Sequence, residues 1–204
     1  TAAGCGMTRI ILASASGSRA SLLRGAGVAF EVAPARVDEE AIKDSMLAAN
    51  QPHRVIADAL SEMKAVRVSA AHPGALVIGA DQILSFAGEL VSKCATMDEA
   101  RALLARLRGK SHELFSAAVM AKDGAPIWRH TERAKMTMYP VSDAFIDNYL
   151  AQKGESLLGG VGCYRLEDEG VQFFSHVAGD YFAILGLPLI QLLSGLREQG
   201  VIPK

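Results

Sequence analysis

The stretch that decides the fold is Ala75–Gln82, which reads ALVIGADQ. Its first six residues form a continuous apolar run, which is typical of a strand in a sheet that is covered on both faces. Asp81 follows directly, and α/β proteins bind ligands at the carboxyl ends of such strands. A carboxylate beside a buried strand needs a backbone cap or a cation as its partner. The stretch therefore predicts an α/β protein with a candidate functional carboxylate at the end of this strand.

Strand and helix patterns alternate on both sides of this run. Apolar spacing predicts strands at 9–13, 28–33, 114–121 and 126–138 and helices at 17–25 and 52–71, with further helices after Thr96, Ser142 and Pro188. Asp123-Gly124 separates two of the strands and is a strong hairpin signal. This order mixes strand–helix units with a hairpin, so we expect an α/β fold with a mixed, twisted sheet and flanking helices.

The composition limits the partners of the chain. Its 204 residues fit one domain, or two lobes that share a core, and the expected domain covers 7–204. A net charge of -1 gives no sign of a nucleic-acid or membrane partner, so an anionic ligand must be held by a local cluster of cations. No apolar run reaches the roughly 18 residues of a membrane-spanning helix. Residues 1–6, TAAGCG, are interpreted as an expression remnant or a ragged start.

Cysteine and histidine patterns do not indicate a metal centre. The three cysteines contain no CxxC pair, which argues against a disulfide framework or a thiolate zinc site and favours a reducing cytoplasm. The five histidines show no HxxxH or HxH spacing. We therefore expect them to be surface or core residues.

A second informative stretch is Ile11–Leu23, ILASASGSRASLL, where a short strand leads through small residues into a helix. The free backbone N–H groups of such a helix start, the hydroxyls of Ser14 and Ser16 and the guanidinium of Arg19 together suit a phosphate group. The alternative is a capped helix start with a solvated arginine. The stretch alone does not separate the two interpretations.

Three further charged residues are candidates for the same site. Glu39 follows the second predicted strand, Lys64 lies on the long helix, and Lys93 follows the central strand. Each, taken singly, is more typical of a surface position. With Asp81 and Arg19 they supply the acids and cations that phosphate chemistry needs.

Together these motifs resemble the Maf family of nucleoside triphosphate pyrophosphatases. The family signature LASxSPRRxxLL corresponds to LASASGSRASLL at 12–23. The resemblance continues in order through the following stretches: FEVAPARVDE (30–39), Lys64-Ala65, GADQ (79–82), Lys93, HELFSAAV (112–119), GCYRLEDEG (162–170) and GDYFAILGLPL (179–189). Several motifs in one order are far more specific than any single motif.

The resemblance implies an activity and a set of site residues. It implies two lobes around a cleft, hydrolysis of a nucleoside triphosphate to a monophosphate and pyrophosphate, and a homodimer. It places Ser14, Ser16, Arg19, Lys93 and Gln82 on the substrate, and Asp81, Glu39 and Lys64 at the reacting centre. Glu39 and Asp81 are also the expected ligands of Mg²⁺ or Mn²⁺, since carboxylate oxygens suit a hard cation.

The chain departs from the family pattern at several positions. Gly17 and Ser18 replace the Pro and the first Arg of SPRR, and Cys94 replaces the Pro of GKP. Glu167 occupies the place of a Gln after the family's Gly-Ala-Tyr. The replacement of SPRR removes one cation, and Cys94 loosens the hold on Lys93. Glu167 alters the contacts to the base.

Several alternatives stay open from sequence. Asp81 is either the general base or a metal ligand only, with Glu39 or Lys64 then orienting the water. The glutamine at position 82 resembles the pattern of the 7-methyl-GTP branch rather than that of the branch that hydrolyses dTTP, UTP or CTP. The possible roles of Gln82 are to contact the base or ribose, to orient Asp81 or to cap the strand. The rival functions are a non-catalytic nucleotide-binding regulator of cell division and a sugar-phosphate or nucleotide-binding module.

Overall fold

A computed structural model describes residues 8–203 of the chain. The segment 1–6, interpreted above as a remnant or ragged start, lies outside the described residues, and so does its cysteine, Cys5.

The described residues form seven strands of one mixed sheet in the spatial order β2-β1-β3-β5-β6-β7, with β4 paired to β3. The strands are β1 (Ile10–Leu12), β2 (Glu31–Val32), β3 (Leu76–Phe86), β4 (Glu89–Val91), β5 (Ser111–Lys122), β6 (Ala125–Met138) and β7 (Phe174–Ala178). Strand β1 runs parallel to β2 and β3, whereas all other pairs are antiparallel. The expected hairpin at Asp123-Gly124 joins β5 to β6, and both turn residues have the positive φ that this turn requires.

Helices flank this sheet, as the sequence predicts. They are α1 (Gly17–Gly25), α2 (Glu39–Ala48), α3 (His53–Ala71), α4 (Met97–Leu107), α5 (Asp143–Lys153), α6 (Tyr181–Ile184) and α7 (Leu189–Glu198), with 3₁₀ helices at Gly154–Leu157 and Glu169–Phe173. Thr96 and Ser142 cap α4 and α5 with their side chains, as expected from the sequence. Among residues 8–203, no helix is long and apolar enough to cross a membrane. The prediction of an α/β fold with a mixed sheet and flanking helices is confirmed.

The core divides into two main clusters that share the long central strands. The first-lobe core packs α1 and α7 on β1 and on the first half of β3; its members include Leu12, Leu23, Ile78, Met120 and Leu192. The second-lobe core packs α4 and α5 on the far half of β3; its members include Leu84, Leu104, Leu114, Met136 and Phe173. Strands β3 and β5 therefore connect the two lobes.

Two strand boundaries differ from the sequence prediction. The strand expected at 28–33 is reduced to Glu31–Val32, because β1 offers it only two paired positions and Val28 packs into the first-lobe core instead. The strand expected to end at Ala80 continues to Phe86, because β5 pairs with it from Leu76 to Ser85. Asp81 therefore lies within β3 and not at its end, and that part of the prediction is wrong.

A gap in the sheet explains how an acid in the middle of a strand lines a cleft. On the edge of β3 opposite β5, β1 pairs with Leu76–Ile78 and β4 pairs with Leu84–Phe86. Between these pairings, no strand of the described chain covers Gly79–Ile83 on that edge. The gap opens into a cleft of about 780 Å³, and Asp81 and Gln82 line it.

Candidate active site

The cleft brings the predicted site residues together. Its walls include all eight of them, namely Ser14, Ser16, Arg19, Glu39, Lys64, Asp81, Gln82 and Lys93. They come from five separate segments between β1 and α4, and the fold brings these segments together.

The loop after β1 and the start of α1 form one wall. Ser16 is the N-cap of α1, where its hydroxyl accepts a hydrogen bond from the backbone N–H of Arg19. The side chain of Arg19 donates from Nε to the carbonyl of Gly186, at 2.8 Å, and from Nη1 to the hydroxyl of Ser14, at 3.0 Å. The alternative of a solvated arginine is wrong, because both contacts build the guanidinium into the cleft wall.

Burial shapes the electrostatics of this wall. Removal from water lowers the pKa of Arg19, while the nearby charges of Asp81 and Glu39 act in the opposite direction. An arginine keeps its charge at neutral pH even so. The wall therefore presents a fixed cation beside the hydroxyl of Ser14.

Lys64 sits between the two predicted acids. Its Nζ donates to Oδ1 of Asp81 at 2.7 Å and lies 2.9 Å from Oε1 of Glu39. Lys64 and Asp81 are only 6% and 7% exposed, whereas the Glu39 side chain is 38% exposed. A buried ammonium between two carboxylates is well compensated, and it fixes both acids in place.

A close helix–strand approach creates this ion triad. Helix α3 packs so tightly on β3 that a Cβ on Gly79 would lie 2.2 Å from the carbonyl oxygen of Ser61 and 2.6 Å from the backbone nitrogen of Ala65. Only glycine tolerates such contact with a neighbouring backbone. Lys64, which lies between these helix residues, is thereby held against Asp81.

Glu39 enters the site from the first turn of α2. Asp38 caps this helix by accepting a hydrogen bond from the backbone N–H of Ala41. Burial alone raises the pKa of Glu39, but the hydrogen bond from Lys64 and the charges of Lys64, Lys43 and Lys93 outweigh it, so the pKa lies below its ordinary value. Glu39 is therefore ionised at neutral pH.

Lys93 is a cation of the site on the segment between β4 and α4. Among residues 8–203 it has no acid within ion-pair distance. Desolvation by the cleft and the neighbouring cations Arg19 and Lys64 lower its pKa, against the opposing effect of Asp81 and Glu39. An ammonium in this position is suited to binding an added anion.

The side-chain NH₂ group of Gln82 is hydrogen-bonded within the protein. Its Nε2 donates to the hydroxyl of Ser116 and to the carbonyls of Ala183 and Ile184, at 2.9, 3.1 and 2.9 Å. It makes no hydrogen bond to Asp81 among the described residues. Gln82 thus anchors α6 to the sheet, and only its carbonyl oxygen is left for other contacts.

Most residues of the opposite wall of the cleft were not predicted as site residues from the sequence. The glycine-rich loop between the two 3₁₀ helices lines the cleft through the following residues: Gly159, Gly160, Gly162, Tyr164, Arg165 and Glu167. The last four lie in the motif GCYRLEDEG, but only Glu167 was given a role from the sequence. A hydrogen bond positions Tyr164, since its hydroxyl lies 2.7 Å from Nε2 of the buried His112. The signal available in the sequence was the run GGVG at 159–162, which is typical of a loop that a ligand approaches closely.

Asp81 and Glu39 are the acids of the cleft whose oxygens could take part in holding a metal ion. The described residues contain no group of three or more His, Cys, Asp or Glu that could hold a metal ion by itself. Asp81 and Glu39 each give one oxygen to Lys64 and keep the second without a hydrogen-bond partner in the described chain. Two carboxylate oxygens, completed by phosphate oxygens and water, are a donor set that Mg²⁺ commonly uses. The residues therefore fit Mg²⁺ or Mn²⁺ held jointly with a polyphosphate.

The chain is similar to known proteins over nearly its whole length. Residues 9–199 match the profile of a family described as "Maf-like protein". The chain is 54% identical over 196 residues to a "Nucleoside triphosphate pyrophosphatase" of Caulobacter vibrioides, with 96% of this chain and 98% of the relative covered. It is 50% identical to a protein of the same name from Sphingopyxis alaskensis, with 96% and 99% covered.

A solved structure of a dITP/XTP pyrophosphatase from Mycobacterium abscessus aligns with 95% of this chain and 96% of its own at 14% identity. Its TM-score of 0.38 is too low to add to the sequence matches. Those matches cover nearly the whole chain and include every segment that lines the cleft. The chain therefore belongs to the Maf family.

Proposed function

We propose that this protein hydrolyses a nucleoside triphosphate between the α and β phosphates and releases a nucleoside monophosphate and pyrophosphate. The observation that carries the proposal is the triad Asp81–Lys64–Glu39 beside Arg19 and Lys93 in one cleft. The names of the relatives from Caulobacter vibrioides and Sphingopyxis alaskensis support the same reaction.

The charges of the site explain how a triphosphate is bound. Lys64 is already neutralised by its two acids, so Arg19 and Lys93 are the cations left for the phosphate chain. A triphosphate carries about four negative charges, which two cations do not balance. Mg²⁺ or Mn²⁺, held by Glu39 and Asp81 with the phosphates, would supply the missing positive charge when bound.

Asp81 is proposed as the general base. Its carboxylate is fixed by Lys64 on one oxygen and opens to the cleft. The other oxygen has one lone pair that can take a proton from a water that attacks the α phosphorus and a second that could hold the cation. Glu39 orients the same ammonium from the other side and stays ionised. Arg19 and Lys93 stabilise the charge that develops on the leaving pyrophosphate.

The proposed substrate is a triphosphate with a modified base, with 7-methyl-GTP as the first candidate. The methylated guanine carries a positive charge on its ring, and the exposed carboxylate of Glu167 on the far wall suits a cationic base. The carbonyl oxygen of Gln82 adds a second acceptor to the cleft. The cytoplasmic location and the homodimer stay predictions.

Product analysis by chromatography tests the reaction. The protein is incubated with Mg²⁺ or Mn²⁺ and a panel that contains 7-methyl-GTP, GTP, UTP, CTP and dTTP. Monophosphate with pyrophosphate is the expected result, with the highest kcat/KM for 7-methyl-GTP and no turnover in chelator. Binding without turnover of any member would contradict the proposal and favour a non-catalytic nucleotide-binding protein.

A further inference from the structure

Tyr164 is the one aromatic residue among the described residues that line the cleft. It lies in the glycine-rich loop, on the wall opposite Ser14 and Arg19. A phosphate chain needs charged or hydrogen-bonding partners, whereas a nucleobase has flat faces that suit an aromatic ring. Tyr164 therefore offers the cleft a kind of contact that the charged residues of the site do not.

Three contacts hold the ring of Tyr164 in place. Its hydroxyl forms the hydrogen bond of 2.7 Å with Nε2 of His112, which is only 2% exposed. The ring also meets that of Phe174 edge-to-face, with the two ring centres 4.8 Å apart. The backbone of Gly162 lies so close that a Cβ there would be 2.7 Å from Cζ of Tyr164. Because the ring is already fixed, a ligand that binds it loses little free energy in ordering it.

The hydroxyl of Tyr164 is engaged by the protein, whereas the side chain as a whole is only partly buried. Burial raises the pKa of this hydroxyl, so Tyr164 is neutral at neutral pH and does not repel a polyanion. The ring is therefore the part of Tyr164 that is suited to contact a ligand.

The cleft has room for a nucleoside as well as for its phosphates. Its volume of about 780 Å³ lies within the range of roughly 300–1,000 Å³ that is typical of small-molecule sites. Arg19, Lys93 and Asp81 are the groups proposed above for the phosphate chain. The glycine-rich loop lines another part of the cleft, where Gly159 and Gly160 leave space because they have no side chains.

We propose that the ring of Tyr164 binds the base of the nucleoside triphosphate. This inference rests on the proposed function, because that function supplies the substrate. An aromatic ring accepts any of the bases, since every base has a π face. Tyr164 would therefore strengthen the binding of all nucleotides alike, and the choice among bases would depend on polar groups such as Glu167.

Titration calorimetry with two probes separates the base from the phosphates. The first probe is the α,β-methylene analogue of GTP with Mg²⁺, which the proposed reaction cannot split. The second is inorganic tripolyphosphate with Mg²⁺, which has the phosphate chain and no base. In Tyr164→Leu we expect the Kd of the analogue to rise about tenfold and that of tripolyphosphate to stay unchanged. An equal rise for both probes, or no rise for the analogue, would overturn the proposal.

The variant Tyr164→Phe keeps the ring and loses the hydroxyl. Phe174 and Gly162 still confine the ring, so we expect the Kd of the analogue to rise by less than about threefold. A rise as large as that in Tyr164→Leu would overturn the proposal, because the hydroxyl and not the ring would then be essential. The control Tyr139→Leu removes a tyrosine that is 54% exposed and outside the cleft, and it should leave both Kd values unchanged.

Nuclear magnetic resonance provides the same test without a substitution. In the unchanged protein with the bound analogue, we expect nuclear Overhauser effects between the base protons and the ring protons of Tyr164. Effects from the base to other side chains only would overturn the proposal.

The base contact and the proposed function fail in different ways. If the analogue binds but no triphosphate of the panel is turned over, hydrolysis is contradicted, and calorimetry still decides the base contact. If Tyr164→Leu hydrolyses 7-methyl-GTP with an unchanged KM, the base contact is overturned and the proposed function stands.

Discussion

At the scale of single residues, the ion triad assigns different tasks to three charges that the sequence presents as equivalent candidates. Lys64 and Asp81 are buried partners, and Glu39 joins them from a separate helix with a partly exposed side chain. Because Lys64 is shared between the two acids, its charge holds both of them in place, and Arg19 and Lys93 are the cations that we propose for phosphate binding. This division depends on distances of 2.7 and 2.9 Å, which no sequence pattern reports.

The substitution Asp81→Asn tests the proposed base. The amide keeps the shape of the carboxylate but accepts no proton, so we expect kcat to fall by about 100-fold or more. Lys64 keeps Glu39 as an ion-pair partner, and the variant should therefore remain folded. Kinetics with 7-methyl-GTP and a thermal melt measure both effects. The control Asp44→Asn changes an exposed acid of α2 outside the cleft and should leave kcat unchanged. Equal kcat values for the two variants would show that Asp81 is not the general base.

Burial of His112 predicts a pH dependence of stability. Desolvation lowers its pKa from 6.5 to about 4. Between these values the unfolded chain binds a proton that the folded protein excludes, so the free energy of unfolding falls as the pH falls through this window. The loss attributable to His112 reaches about 3 kcal/mol near pH 4.

Urea unfolding at pH 7 and pH 4.5 measures this effect. The variant His112→Gln should show a smaller difference between the two pH values than the unchanged protein, even if it is less stable at both. The control His176→Gln alters an exposed histidine and should keep the full difference. An unchanged pH difference in His112→Gln would mean that other groups produce it.

At the scale of elements, local sequence patterns predicted most of the helices and strands, but they did not predict how the strands pair at the edge of the sheet. Thr96, Ser142 and Asp123-Gly124 are short-range signals, and each marks the cap or turn that it predicts. Helix α2 was missed, although its cap Asp38 and the acids that follow are a recognisable start signal. The gap on the edge of β3 was beyond prediction, because it depends on where β1 and β4 stop pairing.

The contact between α3 and β3 predicts the effect of Gly79→Ala. The added Cβ would meet the backbone of Ser61 and Ala65, so the helix must move away from the strand and carry Lys64 with it. We expect a loss of about 2 kcal/mol or more in the free energy of unfolding, together with a fall in kcat. The matched control is Gly25→Ala at the end of α1, where a Cβ meets nothing within 4 Å.

Urea unfolding and kinetics on both variants provide the comparison. Gly25→Ala should change the free energy of unfolding by less than about 0.5 kcal/mol and leave kcat unaltered. Full stability and activity in Gly79→Ala would show that α3 has room to adjust without moving Lys64.

At the scale of the whole molecule, the two lobes are bound together by strands that belong to both. Strand β3 contributes Ile78 to the first-lobe core and Leu84 to the second, and β5 contributes Met120 and Leu114 in the same way. The cleft lies where β3 has no partner strand on one edge, between its pairings with β1 and β4, so the site depends on both lobes at once. The sequence suggests this division only through the resemblance, since no linker or change in composition marks it.

Shared strands predict that the lobes unfold together, as expected for a single domain over 7–204. Leu104 is fully buried in the second-lobe core, and Leu104→Ala should lower the free energy of unfolding by about 2–5 kcal/mol. Trp128, the one tryptophan of the chain, packs against the first-lobe core. The unfolding transition followed by Trp128 fluorescence should nevertheless show the full loss in the free energy of unfolding. It should also coincide with the transition followed by far-ultraviolet circular dichroism. The control Leu47→Ala, on an exposed position of α2, should shift neither signal. If Trp128 unfolds at its original urea concentration in Leu104→Ala, the lobes are independent units, and the cleft between β1 and β4 is then a junction of two domains rather than a gap within one.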